Sequence, residues 1–547
     1  MTMQAFKKYV ERMNDMGRPK IIISEKIADE GAAILMAEAD VDYRPDITRE
    51  ELLEMIGGYD ALIVRSVTKV NEELLSRASR LKVVGRAGNG VDNIDIPAAS
   101  RRGVIVVNTP DSNTISAAEQ TIALLLASIR KIPWANDTVK QGIWDRTPFR
   151  GMELYGKTLG IIGLGRIGSM VASRLKSFNM RVLAYDPYIP EERFKRLDVE
   201  QVRSLDEIAR QCDVITVHTP RTPETMHMLD EAFFDKCKDG VRVVNCARGG
   251  IIKEAAVLAG IKSGKIGSAA LDVHEKEPVD PDNPLFPFHN VVCTPHLGAD
   301  TNEAQKRVGE DIARQVLTAL SGELVTNVVN LPVILKEELD YLRPYVVLCE
   351  RLGQIYAQLR REPVEKIELV YSGPVSRNEL EFLDASFLKG LLKPVLGERV
   401  NYVNAKLMAE DRDIQFSVVK NEESARRYKN LVQARIYSKH DKLEVSGTLS
   451  RAHEPVLVEL NGMDTECELQ GHVIILKNID RPRMIGPVAT VLGDAGINIA
   501  SMKVARNEPG SYAVMLINID EAAGEADLDA LAKIDGIIGT PKLMTFE

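Results

Sequence analysis

The run from Thr158 to Gly168, TLGIIGLGRIG, leaves few folds open. A short apolar strand leads straight into three glycines and then into SMVASRLKSF, whose apolar residues recur at helical spacing. Gly163 permits a tight strand-to-helix turn, Gly165 lets the main chain approach a pyrophosphate, and Gly168 lets helix and strand lie close. The helix N-terminus that follows faces the phosphates. The next strand, MRVLAYD, ends on Asp186. A carboxylate there accepts hydrogen bonds from adenosine ribose hydroxyls and repels a 2′-phosphate, which selects NAD over NADP. A strand, a glycine loop, a helix and a second strand in this order predict a parallel, doubly wound α/β sheet.

The whole chain, at 547 residues, is too long for one core and suggests three or four domains. A formal charge of -9 and a pI near 5.6 argue against nucleic acid or an anionic membrane as the main partner, and for a small molecule. Six scattered cysteines with no CxxC pair fit a reducing cytoplasm and give no zinc or other metal framework. The longest apolar run, Ile122 to Ile129, is too short to span a membrane, and the N-terminus lacks a signal peptide's apolar core. Residues 1–17 read as a charged leader.

From Lys20 to Asn108, β-like runs (KIIIS, DALIVRS, LKVVGRAG, GVIVVNTP) alternate with helical patterns, as in a parallel α/β unit. A long apolar helix from Ser116 follows, then six strands near 158, 180, 213, 242, 267 and 290. The amphipathic stretch after His296 is placed to return to the first unit, so that the cofactor domain is an insertion. The expected domains are 18–115 with 300–330, then 116–299, 331–470 and 471–547. The last of these runs strand, helix, strand, strand, helix, strand, a ferredoxin-like order. The 331–470 segment mixes helices with charged, strand-like sequence and reads as α+β.

Hydride removal from a hydroxyl-bearing carbon needs a base for the hydroxyl proton, a group that supports that base, and a cation for a substrate carboxylate. Arg248 in NCARGG, Glu277 in HEKEP and His296 in TPHLGA all follow strand-like runs and so fall at the carboxyl end of the sheet. Ligands bind there in open α/β sheets. Arg65, Lys69 and Arg86 are candidate cations for a second anionic group, and main-chain N–H groups near Asn89 and Gly90 could cradle a carboxylate. Trp144 and Arg146 lie in a loop placed to cover the site.

The set GLGRIG, YDP, HTP, NCARGG, HEKEP and PHLGA, in this order and spacing, resembles the D-2-hydroxyacid dehydrogenase family across roughly residues 20–330. The resemblance implies that Arg248, Glu277 and His296 form the catalytic set, with His296 exchanging the proton. It carries cofactor contacts onto Arg166, Ile167, Asp186 and Thr219, and onto Cys246, Ala247, Asp272, Gly298 and Ala299, beside Gly163, Gly165 and Gly168. The loops VRSVTKV, GRAGNGVDNID and NTPDSNTISAAEQ are similar to those of members acting on a phosphorylated three-carbon acid, which implies substrate contacts from Arg65, Ser66, Asn89 and Gly90. The implied reaction is NAD-dependent oxidation of 3-phospho-D-glycerate to 3-phosphohydroxypyruvate, opening L-serine synthesis. Two rivals stand beside it: another 2-hydroxyacid dehydrogenase, such as a glyoxylate or hydroxypyruvate reductase, and a non-catalytic NAD-sensing protein.

The segment Phe387 to Ile414 looks like the intervening domain of the long, regulated members, with Lys439, His440 and Arg451 as possible charges for an anionic effector. The terminal module resembles an ACT domain. By that resemblance Asn478, Asp480 and Asn498 stand at effector positions for L-serine, while Arg483 replaces an expected glycine. A homodimer or homotetramer is implied.

Overall fold

The computed structural model describes residues 17–546 except 324, 326, 332–335, 361, 426 and 507–509. The expected leader at 1–17 therefore lies almost wholly outside the described residues.

The first sheet holds β1 (Lys20–Ile23), β2 (Asp40–Tyr43), β3 (Ala61–Val64), β4 (Val83–Arg86) and β5 (Ile105–Asn108), all parallel, in the order β2-β1-β3-β4-β5. Ile21 to Ile23 and Ala61 to Val64 are wholly buried, as continuous apolar runs are when helices cover both faces of a parallel sheet. One covering helix, Asn302–Leu320, comes from far along the chain. It packs so closely on the helix Asp29–Glu38 that a Cβ on Gly31 would strike the Gly309 carbonyl. Beyond it, Val328 bridges Val107, and Asn330 accepts from Val106 N–H at 3.0 Å. The chain thus closes back on its first sheet after making the second.

That second sheet holds β6 (Thr158–Ile162), β7 (Arg181–Tyr185), β8 (Glu200–Gln201), β9 (Val214–Val217), β10 (Val241–Asn245), β11 (Ile266–Leu271) and β12 (Val291–Cys293). Its order is β12-β11-β10-β9-β6-β7-β8, again parallel, with the topological switch between β6 and β9. Seven strands stand where six were expected, because β8 is a two-residue exposed edge with no apolar run to betray it. The helix Thr114–Ile129 buries Ala118, Leu124 and Leu125 in the core of this sheet. A boundary at 115/116 therefore cuts its first turn, and the helix belongs to the second unit.

The third unit is a six-stranded mixed sheet of β13 (Val364–Ser372), β14 (Gln415–Asn421), β15 (Leu431–Ser438), β16 (Lys442–Leu449), β17 (Pro455–Leu460) and β18 (Met463–Glu468). The order is β14-β13-β15-β16-β17-β18, with β13 and β14 parallel and the remaining neighbours antiparallel. Two helices, Lys336–Leu359 and Glu381–Leu396, accompany it and pack on each other so closely that a Cβ on Gly353 would strike the Phe387 carbonyl and one on Gly390 the Glu350 carbonyl. The last unit has β19 (Gly471–Ile479), β20 (Ile499–Arg506), β21 (Tyr512–Ile519) and β22 (Ile537–Phe546) in the antiparallel order β20-β21-β19-β22. Its inner residues Val473, Leu516, Met544 and Phe546 share one core with Leu342, Leu352 and Leu359 of the preceding unit. The last two units are separate sheets with a joint core.

Candidate active site

A cleft of about 1230 Å³ opens between the first two sheets, with Arg65, Lys69, Arg86, Asn89 and Gly90 on one wall and Arg248, His274, Glu277 and His296 on the other. The walls meet because the carboxyl ends of β3 and β4 face those of β10, β11 and β12.

On the second wall, His296 Nδ1 lies 2.9 Å from Glu277 Oε2. This leaves Nε2 available to a ligand. Glu277 Oε1 accepts from the His274 N–H at 3.0 Å. Burial raises the Glu277 carboxyl, but hydrogen bonds from His296 and the His274 N–H, and the charges of both imidazoles, hold it below the ordinary value. Asp272, wholly buried, organises the loop that bears His296: it accepts from Leu297 and Gly298 N–H at 2.8 Å each and from the Thr294 hydroxyl. The resemblance makes Asp272 a cofactor contact; in the structure its carboxylate also fixes the loop on which Gly298 and Ala299 stand.

Arg248 is set by Asn245, which donates to the Arg248 carbonyl at 2.9 Å and accepts from Ala247 N–H at 3.0 Å. Its guanidinium reaches across the cleft to Asp92, Nε to Oδ2 at 3.3 Å, and lies directly against Gly90. Arg86 is half-buried beside it with a buried Nε that has no hydrogen-bond partner. Burial, then the nearby Arg248 and Arg65 charges, push this guanidinium down to about 10. Three converging guanidiniums, one with an unmatched donor, make an anion site.

Sequence reasoning missed Glu25. Its carboxylate accepts from the main-chain N–H of Arg65 (2.9 Å), Val67 (3.1 Å) and Thr68 (2.8 Å), which shapes the loop carrying Arg65 and Ser66. The available signal was an acidic residue directly after the first buried strand. Asn93 supports the same loop, donating to the Arg65 and Thr68 carbonyls at 2.9 and 2.7 Å, and Asn108 donates to the Asn89 carbonyl at 2.6 Å. Trp144 and Arg146 do not line the cleft, and Trp144 is 84% exposed.

At the switch point, Gly163 has φ +92°, and a Cβ there would stand 2.6 Å from the His218 carbonyl. Gly168 abuts the Gly163 carbonyl, whereas the space beside Gly165 is open. Thr219 Oγ1 is buried without a partner, as a hydroxyl awaiting a polar ligand would be. Asp186 accepts from Leu164 N–H (2.8 Å) and Tyr188 N–H (3.0 Å), so it fixes the glycine loop. Each of its oxygens keeps a lone pair for a ribose hydroxyl. The residues present therefore fit NAD. Arg166 is paired with Asp111 at 2.6 Å, Ile167 and Ala247 are half-buried, and Ala299 lines the cleft. Burial raises the Cys246 thiol to about 12, which makes it an inert wall.

In the last unit the three expected effector positions have separate partners. Asn478 is buried, with Oδ1 unmatched and Nδ2 donating to the Ile479 carbonyl at 2.7 Å. Asp480 accepts from Gly510 N–H and from Arg506, and Asn498 donates to Asp520 at 2.6 Å. Arg483 takes φ +68°, a conformation that favours glycine. Lys439, His440 and Arg451 are exposed. Among the described residues no helix is long and apolar enough to cross a membrane, and no group of three His, Cys, Asp or Glu is placed to hold a metal.

Comparison with known proteins sets the class first. Residues 122–298 match the family described as D-isomer specific 2-hydroxyacid dehydrogenase, NAD binding domain. Solved structures of similar shape include a D-lactate dehydrogenase from Aquifex aeolicus complexed with NAD and lactic acid (TM-score 0.51, 29% identity) and a D-mandelate dehydrogenase from Rhodotorula graminis (TM-score 0.54, 28% identity). Each is covered over 99% of its own chain, by 57% and 58% of this one. Residues 341–461 match the D-3-phosphoglycerate dehydrogenase intervening domain and residues 472–536 the ACT domain. Relatives named D-3-phosphoglycerate dehydrogenase are 45% identical in Methanocaldococcus jannaschii and 42% in Archaeoglobus fulgidus, over 95% of this chain and 98% of each relative. The chain belongs to the D-3-phosphoglycerate dehydrogenase family.

Proposed function

We propose that the protein oxidises 3-phospho-D-glycerate to 3-phosphohydroxypyruvate with NAD, the first step of L-serine synthesis by the phosphorylated route. The observation that carries this reading is the His296–Glu277 pair at 2.9 Å, with Arg248 on the same wall and Arg65 and Arg86 facing it across one cleft. The glycine loop after β6, Asp186 and Thr219 would hold NAD, which supplies the hydride acceptor. Arg248 binds the substrate carboxylate and orients C2. His296 Nε2 takes the C2 hydroxyl proton as the C2–H bond breaks and its electron pair leaves as hydride. Glu277 holds Nδ1 and balances the imidazolium that forms. Arg65 and Arg86, with Ser66 and the Asn89–Gly90 main chain, hold the phosphate and the far side of the substrate.

The remaining parts of the reading are finer. The ACT unit binds an amino acid, L-serine, as a feedback effector, supported by the buried, unmatched Asn478 Oδ1. A homodimer or homotetramer is supported by the exposed apolar arm of Val139, Ile143, Trp144 and Tyr155, which a second copy would cover. Six free cysteines fit the cytoplasm.

The test is a panel of 3-phospho-D-glycerate, D-glycerate, D-lactate and glycolate with NAD and with NADP. NADH formation should favour the phosphorylated acid by at least about a hundredfold in kcat/KM, as loss of a charge-assisted anion contact implies. Equal or better turnover of the unphosphorylated acids would replace this reading with the glyoxylate or hydroxypyruvate reductase one, and no turnover at all with the NAD-sensing one.

A further inference from the structure

A second imidazole–carboxylate pair stands directly behind the first. His274 follows β11, its side chain is 4% exposed, and its Nδ1 is 3.7 Å from Glu254 Oε1, an ion-pair distance. Glu254 begins the helix Glu254–Ser263 and is itself anchored, accepting from Glu275 N–H at 2.8 Å and from Asn283 at 3.1 Å. The His274 main chain joins both halves of the catalytic wall. Its N–H donates to Glu277 at 3.0 Å, while its carbonyl presses on Gly249, next to Arg248.

Resting on the function just proposed, we infer that His274 and Glu254 form a buried ion pair that positions Glu277 and neutralises the charge behind it, so that His274 is a positioning residue for the proton exchange at His296. The groups facing the His274 ring are few. Glu254 comes from the helix, Glu277 from its own loop, and the Thr294 main chain from the end of β12; Gly249 of the Arg248 loop lies against the His274 main chain rather than its ring. Glu254, more than any other group, favours the charged imidazole and outweighs the opposing effect of burial. The pair is then neutral as a whole. Removing the imidazole alone would leave the Glu254 anion uncompensated beside Glu277, and a second anion there would favour the protonated form of the base on the far side of Glu277.

The experiment measures kcat/KM for 3-phospho-D-glycerate oxidation against pH in wild type, His274→Phe and His274→Phe/Glu254→Gln, with NADH affinity as a check on the fold. The acid limb should move up by about one pH unit in His274→Phe, the order expected of one partly screened charge acting from behind Glu277. It should return to within a few tenths of a unit of wild type in the double variant. Equal limbs in all three, with kcat lowered alike in both variants, would show a packing role only and overturn the inference. Should His274→Phe fail to fold, histidine-labelled NMR of wild type and Glu254→Gln decides: one of the eight imidazoles should titrate above the ordinary histidine value and lose that behaviour in Glu254→Gln. No such imidazole would overturn the pair. Wild type inactive on 3-phospho-D-glycerate would instead sink the functional reading, while the NMR titration tests the pair independently of turnover.

Discussion

Two buried carboxylates are treated in opposite ways. Asp272 receives two main-chain N–H groups and a hydroxyl, so its charge is satisfied and spent on holding the His296 loop. Among the described residues, Asp384, 9% exposed, receives only the Tyr371 hydroxyl at 2.8 Å. Burial pushes its carboxyl from 3.8 up to about 6, against the opposing pull of Tyr371, Lys406 and Lys420. A folded value above the unfolded one means that stability is fully present below about pH 4 and is lost as pH rises through about 6, by roughly 2–3 kcal/mol. Asp384→Asn keeps an acceptor for Tyr371 and removes that loss. Its denaturation midpoint should match wild type near pH 4 and exceed it at pH 8; a lower midpoint at pH 8 would contradict this. Arg248, Glu277 and His296 were legible because each sits just past an apolar run. Glu25 and the loop-holding role of Asp272 were not, since both act through main-chain donors distant in sequence.

Among the elements, the loops after β10 and β11 are fitted against each other at one glycine. A Cβ on Gly249 would overlap the His274 carbonyl, which is main chain and has little room to yield because its own residue holds Glu277. Gly249→Ala should therefore shift Arg248 relative to the His296–Glu277 pair. Displacement of about 1 Å costs about a hundredfold in kcat/KM, and steady-state kinetics beside circular dichroism should show that loss in a folded protein. Near-normal kinetics would mean that the two loops are not coupled. The strands of both parallel sheets were readable as continuous apolar runs, and βαββαβ order was readable in the last unit. Charge hid β8, and the linker into Thr114–Ile129 gave no mark of where one unit ends.

For the molecule as a whole, the catalytic cleft belongs to the first two units, and the last two behave as one body. Gln358 and Thr545 exchange hydrogen bonds between them at 3.2 and 2.7 Å, and β22 lies on the helix Lys336–Leu359. This body touches the first sheet where Asn401 donates to the Gly103 carbonyl, at the turn leading into β5. A chain cut at 470 would uncover the end of that helix around Gln358 and Leu359 and the apolar residues that share its core, so it should melt earlier and associate on size-exclusion chromatography. An unchanged melting profile would show that the ACT unit is an independent appendage. The shared core was not visible in composition, because each side reads as an ordinary amphipathic element.

The central claim is that His296, held by Glu277 and sharing one cleft with the three arginines, takes the substrate proton. NADH formation from 3-phospho-D-glycerate, measured for wild type and His296→Ala together with NADH binding by fluorescence, tests it most directly. The variant should bind NADH as wild type does and lose about 10²–10⁴ in kcat. Near-wild-type turnover with intact binding would contradict the account.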